Sequence, residues 1–156
     1  MPLEIERKFL VSSDGWKKHT LVRKVPIEQG YIKTEGSNSV RLRLTDTQSF
    51  MTIKGAARGL TRTEFEYEIP HADGQELIKM CEKPTVKKTR HYVVDNHQQL
   101  WEIDIFRGVN RGLVLAEIEL ESEKQPVTIP PWLGTEVSLD VRYRNTNLAF
   151  NKVPKG

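Results

Sequence analysis

The chain has 156 residues, 37% of them hydrophobic and 29% charged, with 24 basic and 21 acidic side chains and a formal net charge of +3. That size suits a single domain over 1–156 with a real core, and the near balance of signs, without a long block of like charge, speaks against a disordered chain or a nucleic-acid arm. Cys81 is the only cysteine, which rules out an internal disulfide or a thiolate metal cluster and suits a reducing, cytoplasmic setting.

Period-two alternation dominates the sequence. It predicts strands at 2–11, 27–34, 38–45, 49–55, 62–70, 86–94, 99–106 and 113–121, with a weaker one at 138–144. Turn residues separate them, among them Glu35-Gly36-Ser37-Asn38, Asp95-Asn96 and the stretch from Gly108 to Gly112. Two stretches read as helical: one capped by Asp73 and stopped by Pro84, and a weaker one near 13–20. Pro130-Pro131-Trp132 reads as a rigid loop. Many short strands with few helices predict an antiparallel sandwich or barrel. No apolar run is long enough to span a membrane, and Arg7 and Lys8 stand where a signal peptide would turn apolar.

Residues i and i+2 share one face of a strand, so each strand presents a set of charges. The first gives Glu4, Glu6 and Lys8; the third, Arg41 and Arg43; the fourth ends in Lys54. The fifth gives Glu64, Glu66 and Glu68, the sixth Lys88 and Arg90, the seventh Glu102 and Asp104. The eighth gives Glu117, Glu119 and Glu121, and the last Asp140, Arg142 and Arg144. Acids and bases are sorted onto different strands. Like charges side by side destabilise a sheet unless something neutralises them. Alternation leaves two geometries open: charges toward water around an oily centre, or a barrel with the charges inside. In the second, the oily outer faces need cover from helices, loops or a partner subunit, which makes a homodimer an expectation.

Paired carboxylates without cysteine or a spaced histidine pair select Mg²⁺ or Mn²⁺, and Mg²⁺ commonly completes its shell with substrate phosphates. Guanidinium forks and ammonium groups are the matching half for a short phosphate chain. The reaction this chemistry suits is phosphoryl transfer to water. There is no Gly-rich phosphate loop, dinucleotide fingerprint or Ser–His–acid set. His19, His71, His91 and His97 have no metal spacing and read as surface or packing residues, as Trp101, Phe106, Trp132 and Tyr143 read as packing and Lys33 and Arg144 as peripheral. No aromatic RNA-recognition signature is present, so no nucleic-acid partner is expected.

Glu4-Ile5-Glu6-Arg7-Lys8 matches the ExExK signature, and the chain resembles the CYTH family, or triphosphate tunnel metalloenzymes. The likeness recurs in order through "QGYI" (29–32), "VRLRL" (40–44), "MTIKG" (51–55), "RTEFEYEI" (62–69), "KKTRHYV" (87–93), "WEIDIF" (101–106), "LAEIEL" (115–120), "PPWLGTEVS" (130–138) and "DVRYRN" (140–145). It is nearest to the short, stand-alone bacterial inorganic triphosphatases of that family. The resemblance implies a mainly β fold, a closed eight-stranded antiparallel barrel with its charges inside and a few short peripheral helices. It implies Glu4, Glu6 and Glu119 as ligands of Mg²⁺ or Mn²⁺, with Glu117 supporting the metal or the attacking water. It implies Lys8, Arg41, Arg43, Lys54, Lys88, Arg90 and Arg142 as the grip on a small-molecule triphosphate. Glu64, Glu66 and Asp104 would line the tunnel and orient its basic groups, and Tyr31 would help place Lys8 or the scissile phosphate. Thiamine triphosphate and nucleoside triphosphates are alternative substrates, with class IV adenylate cyclase further off. Those cyclases carry a His-Phe element ahead of ExExK, for which there is no room before Glu4. A polyphosphate- or nucleotide-binding module is the non-enzymatic alternative.

Overall fold

A computed structural model describes residues 3–148 and 151–155; residue 2 of the first predicted strand lies outside them. Among the described residues nine strands form: β1 (Leu3–Val11), β2 (Thr20–Ile32), β3 (Ser39–Leu44), β4 (Ser49–Lys54), β5 (Thr61–Ile69), β6 (Val86–Val94), β7 (Leu100–Phe106), β8 (Val114–Glu119) and β9 (Leu133–Glu136). Two short helices join them, α1 (His71–Leu77) and α2 (Asn145–Leu148). The order in the sheet is β5-β4-β3-β2-β6-β7-β8-β1-β9, and β5 also pairs with β1. That last pairing, Leu3 opposite Thr63 and Ile5 opposite Thr61, closes eight antiparallel strands into a barrel. β9 is an extra strand on the outside of the seam, bonded to the far end of β1.

Closure settles which face is inside. Trp16 from a 3₁₀ turn at Asp14–Lys18 and Trp132 from the loop before β9 pack on Phe9, Val93, Trp101, Ile103, Ala116 and Ile118, the outward residues of β1, β6, β7 and β8. The rings of Trp101 and Trp132 meet edge to face at 5.6 Å, and those of Phe9 and Trp101 at 5.9 Å. Leu42 on β3 is covered by Ile78 and Cys81 from the segment after α1. Leu10, Val86, Phe106 and Leu115 have the inward parity and form an apolar plug, onto which Tyr143, Leu148 and Val153 close. The outer wall of β4 and β5 is left uncovered, exposing Ile53, Phe65 and Tyr67 beside Leu3 of β1. No helix is long and apolar enough to cross a membrane among the described residues.

Several elements differ from the expectations. β2 starts at Thr20, seven residues early, because Leu21-Val22-Arg23 forms a register shift that breaks the alternation there. The weak helix near 13–20 is only a 3₁₀ turn, and the helix expected from Asp73 starts at His71 and passes at Ile78 into a 3₁₀ turn. Its N-cap is Pro70, with Asp73 in the first turn. The strand expected at 138–144 does not form. A 3₁₀ turn at Val141–Tyr143 takes its place, capped by Asp140, whose carboxylate accepts from the Arg142 amide at 3.0 Å.

Gly30 of β2 shows how tightly the cover sits. A Cβ there would lie 2.7 Å from Cβ and 2.9 Å from Sγ of Cys81. Gly30→Ala is expected to lower stability by about 1–3 kcal/mol in urea denaturation, because Cys81 and its segment must shift outward.

Candidate active site in the tunnel

The register of β1 and β8 gathers the acids. Glu6 stands directly opposite Glu119, and Lys8 opposite Glu117, while Glu102 of β7 faces Glu117 from the other side. Directly opposed side chains in such a ladder are about 5 Å apart at Cβ. Together with Glu4, Glu64 and Glu66, these carboxylates line a central chamber of about 190 Å³ whose basic members are Arg41, Arg43, Lys54 and Arg90.

Protons hold this cluster together. Glu6 and Glu117 are hydrogen-bonded; burial and the charges of Glu117 and Glu4 push Glu6 well above the carboxylate range. Burial would also raise Glu117, but Lys8 and Arg90 outweigh it and hold Glu117 well below that range. Of that pair, Glu6 holds a proton the more tightly. Glu4 and Glu64 repeat the arrangement: burial and the Glu4 hydrogen bond raise Glu64 to about 7, while Glu64 and Lys54 keep Glu4 low against its own burial. Lys54 bridges the second pair, with Nζ 2.9 Å from Glu4 Oε1 and 3.3 Å from Glu64 Oε2. Carboxyl groups pressed together in this way favour a bound cation, and this all-oxygen donor set fits a hard divalent metal. Among the described residues no three acids already converge as a metal cage; Glu4 is turned to Lys54, and Glu117 to Lys8 and Glu6.

The basic side is built differently from residue to residue. Arg41 donates to Thr52 at 3.1 Å and to Glu66 at 3.4 Å, leaving a buried Nε without a partner. Arg43 donates to Gln29 at 2.8 Å; burial and the neighbouring Arg41 and Arg90 lower it to about 10. Arg41 shares its one carboxylate, Glu66, with Thr52, and Arg43 makes no ion pair among the described residues. Lys8 Nζ donates to the Tyr143 carbonyl at 3.0 Å and lies 3.6 Å from Glu117. Tyr31, opposite Arg41 across β2 and β3, lines the same cavity as Lys8, Arg41 and Lys54.

Three of the expected residues are placed otherwise. Lys88 is fully buried, its Nζ 2.8 Å from Asp104 and 3.4 Å from Asn145, and so faces no open lumen. Asp104, 1% exposed, orients Arg90 through a two-pronged bond at 2.8 and 2.9 Å, as expected, but is itself too buried to line the open tunnel. Arg142 lies outside the tunnel, its side chain 59% exposed and forked onto Asp140 at 2.7 Å, because the turn at Val141–Tyr143 replaces the expected strand. Arg144, expected to be peripheral, instead lines the tunnel with Arg62 and Asn145. Arg62 was legible, since it shares the alternation of Glu64 and Glu66 in "RTEFEYEI". Asn145 follows an irregular turn and carried no signal.

The CYTH domain profile matches residues 2–152. The chain belongs to the CYTH family. An inorganic triphosphatase of Acetivibrio thermocellus is 43% identical over 152 residues, covering 97% of this chain and 96% of that protein. One from Nitrosomonas europaea is 41% identical over 153 residues, covering 95% and 97%. The crystal structure of an inorganic triphosphatase superposes with a TM-score of 0.69 at 39% identity, covering 97% of each chain. A protein of Pyrococcus furiosus, 21% identical with a TM-score of 0.61 over 78% of this chain and 80% of its own, shares the fold alone. The CYTH barrel thus holds its ExExK residues, Glu4, Glu6 and Lys8, on one lumenal strand, between the acids of β8 and the Arg62 end of β5.

Proposed function

We propose that the chain is a divalent-metal-dependent hydrolase that splits inorganic triphosphate into pyrophosphate and phosphate within the tunnel. The observation that carries the reading is the crowding of Glu4, Glu6, Glu64, Glu117 and Glu119 in one chamber with Arg41, Arg43 and Lys54. The full-length likeness to inorganic triphosphatases supports the same substrate. Glu4, Glu6 and Glu119 would hold Mg²⁺ or Mn²⁺, with Glu117 beside them. The metal, when bound, supplies positive charge to the phosphate oxygens and lowers the pKa of water.

The chain's own groups do the rest. Arg41 and Arg43 bind the phosphates by two-pronged hydrogen bonds, and Lys54 and Lys8 act as point charges. Lys54, which bridges Glu4 and Glu64, would be free to reach substrate where Glu4 holds the cation. Tyr31, beside Lys8, orients the scissile group. Glu117, kept ionised by Lys8 and Arg90, orients the water whose oxygen attacks phosphorus as the bridging P–O bond breaks and pyrophosphate leaves. Arg90, Asp104 and Lys88 hold this wall rigid, and Glu66 holds Arg41.

Phosphate release from tripolyphosphate, ATP, thiamine triphosphate and pyrophosphate, each with Mg²⁺, Mn²⁺ or Ca²⁺, tests the reading. Tripolyphosphate is expected to be cleaved fastest with Mg²⁺ or Mn²⁺, and Ca²⁺ to inhibit, since the larger ion accepts looser geometry. Tight tripolyphosphate binding without turnover in any metal would favour a binding module instead. A cytoplasmic setting suits the one thiol, Cys81, which is buried and unbridged. The uncovered wall at Ile53, Phe65 and Tyr67 is where a homodimer would form; a monomeric mass in light scattering at all concentrations would remove that expectation.

A further inference from the structure

The tunnel is chemically polar along its axis. Its central chamber and the neighbouring cavity at one mouth share Glu4, Glu6, Arg41, Lys54 and Asn145. Beyond that shared ring the two differ in sign. The mouth cavity adds Lys8, Arg62 and Arg144 and not one acid. The central chamber adds Arg43 and Arg90 against Glu64, Glu66, Glu102, Glu117 and Glu119. At the opposite end the chamber opens past Arg43, Glu66 and Tyr92 into a broad vestibule, where Arg23 stacks on the Tyr92 ring at 4.7 Å.

We infer that Arg62 and Arg144 form the anion entrance and the outer phosphate clamp, so that the triphosphate enters from their end and lies from Arg43 through the shared ring toward them. The inference rests on the triphosphatase reading and adds a direction and two binding residues to it. Neither guanidinium has an acid partner among the described residues: Arg62 Nε donates to the neutral Gly55 carbonyl at 3.0 Å, and Arg144 makes no side-chain bond. Burial of Arg62 and the nearby Arg144 weaken its hold on its proton against the pull of Glu4 across β1, and a phosphate between the two guanidiniums would add to that pull. A polyanion approaching the other way would have to cross five carboxylates before it met the ring. Focusing by cations at a narrow mouth raises the capture rate of a charged ligand and makes it fall steeply with salt.

The test compares Arg62→Ala, Arg144→Ala and the milder Arg62→Gln and Arg144→Gln with Arg23→Ala at the opposite mouth. Steady-state kinetics on tripolyphosphate are run at several salt concentrations, with Mn²⁺ affinity read by calorimetry. Expected at the Arg62 mouth is an increase in KM of about tenfold or more per variant, a flatter salt dependence of kcat/KM and unchanged Mn²⁺ affinity. Arg23→Ala is expected to match the wild type. Unchanged KM in the Arg62 and Arg144 variants, or a larger KM effect from Arg23→Ala, would overturn the inference. If the wild type binds tripolyphosphate in calorimetry but does not turn it over, the triphosphatase reading fails. The same variants then test the entrance through their loss of binding.

Discussion

Glu6→Gln and Glu119→Gln are each expected to lower triphosphatase turnover by about 10³-fold or more while leaving the barrel folded, because each removes a carboxylate proposed to hold the metal, on which several kcal/mol of charge stabilisation would depend. Phosphate release at saturating Mg²⁺ measures the loss, and near wild-type rates in both variants would remove the metal assignment. Stability should move the other way for Glu6→Gln. Burial and the charges of Glu117 and Glu4 raise the folded-state pKa of Glu6 well above its ordinary 4.5. The folded chain thus binds an extra proton between the two values, and ionised Glu6 destabilises it as pH rises. Without metal, the Gln variant should therefore melt higher than the wild type at alkaline pH. The gain is about 1.4 kcal/mol for each unit by which pH exceeds the ordinary value, up to the raised one, and it shrinks toward acid pH. A chelator in the melting buffer keeps trace metal from masking it.

The second large effect falls behind the site. Asp104→Ala is expected to cost about 3–5 kcal/mol in urea denaturation, because it leaves Arg90 and Lys88 buried without their shared counter-charge. Burial opposes the charge on Asp104, but Arg90 and Lys88 win and lower it to about 2 from an ordinary 3.8. Its contribution is therefore present above pH 3.8 and lost as pH falls through 2, so wild type and variant should converge on acidification. Replacing Asp104, Arg90 and Lys88 together by apolar residues of similar size should restore much of the stability and none of the activity. If Asp104→Ala alone is as stable as the wild type at neutral pH, the trio is not the anchor of that wall.

The pairing of alternation with sign made the barrel interior legible. Glu4, Glu6, Arg41, Arg43, Lys54 and Glu119 sit on regular strands, so a period of two carries each of them to the lumen. The same period fails after Glu136. Arg142 and Arg144 would share a face on a strand, but the 3₁₀ turn at Val141–Tyr143 rotates them apart, sending one to solvent and the other to the tunnel. Lys88 shows a second blind spot: its inward parity was right, but depth along the barrel axis is not written in alternation, and it lies beside the apolar plug with its ammonium over Phe106. Which face is wet was not legible from pattern alone. Closure of β5 on β1 and the tryptophans on the outer wall decide it.

Strand β1 has a consequence for how the protein is made. One edge pairs with Thr61–Thr63 on β5 and, further along, with β9 up to Glu136, and the other edge pairs with β8 up to Glu119. On a ribosome, this segment has only its three-residue partner on β5 until β8 and β9, late in the sequence, have been synthesised. Such long-range joining slows ring closure and leaves an oily ribbon waiting. Nascent-chain stalling before residue 115 should therefore yield a protease-sensitive product, and release past residue 136 a resistant one.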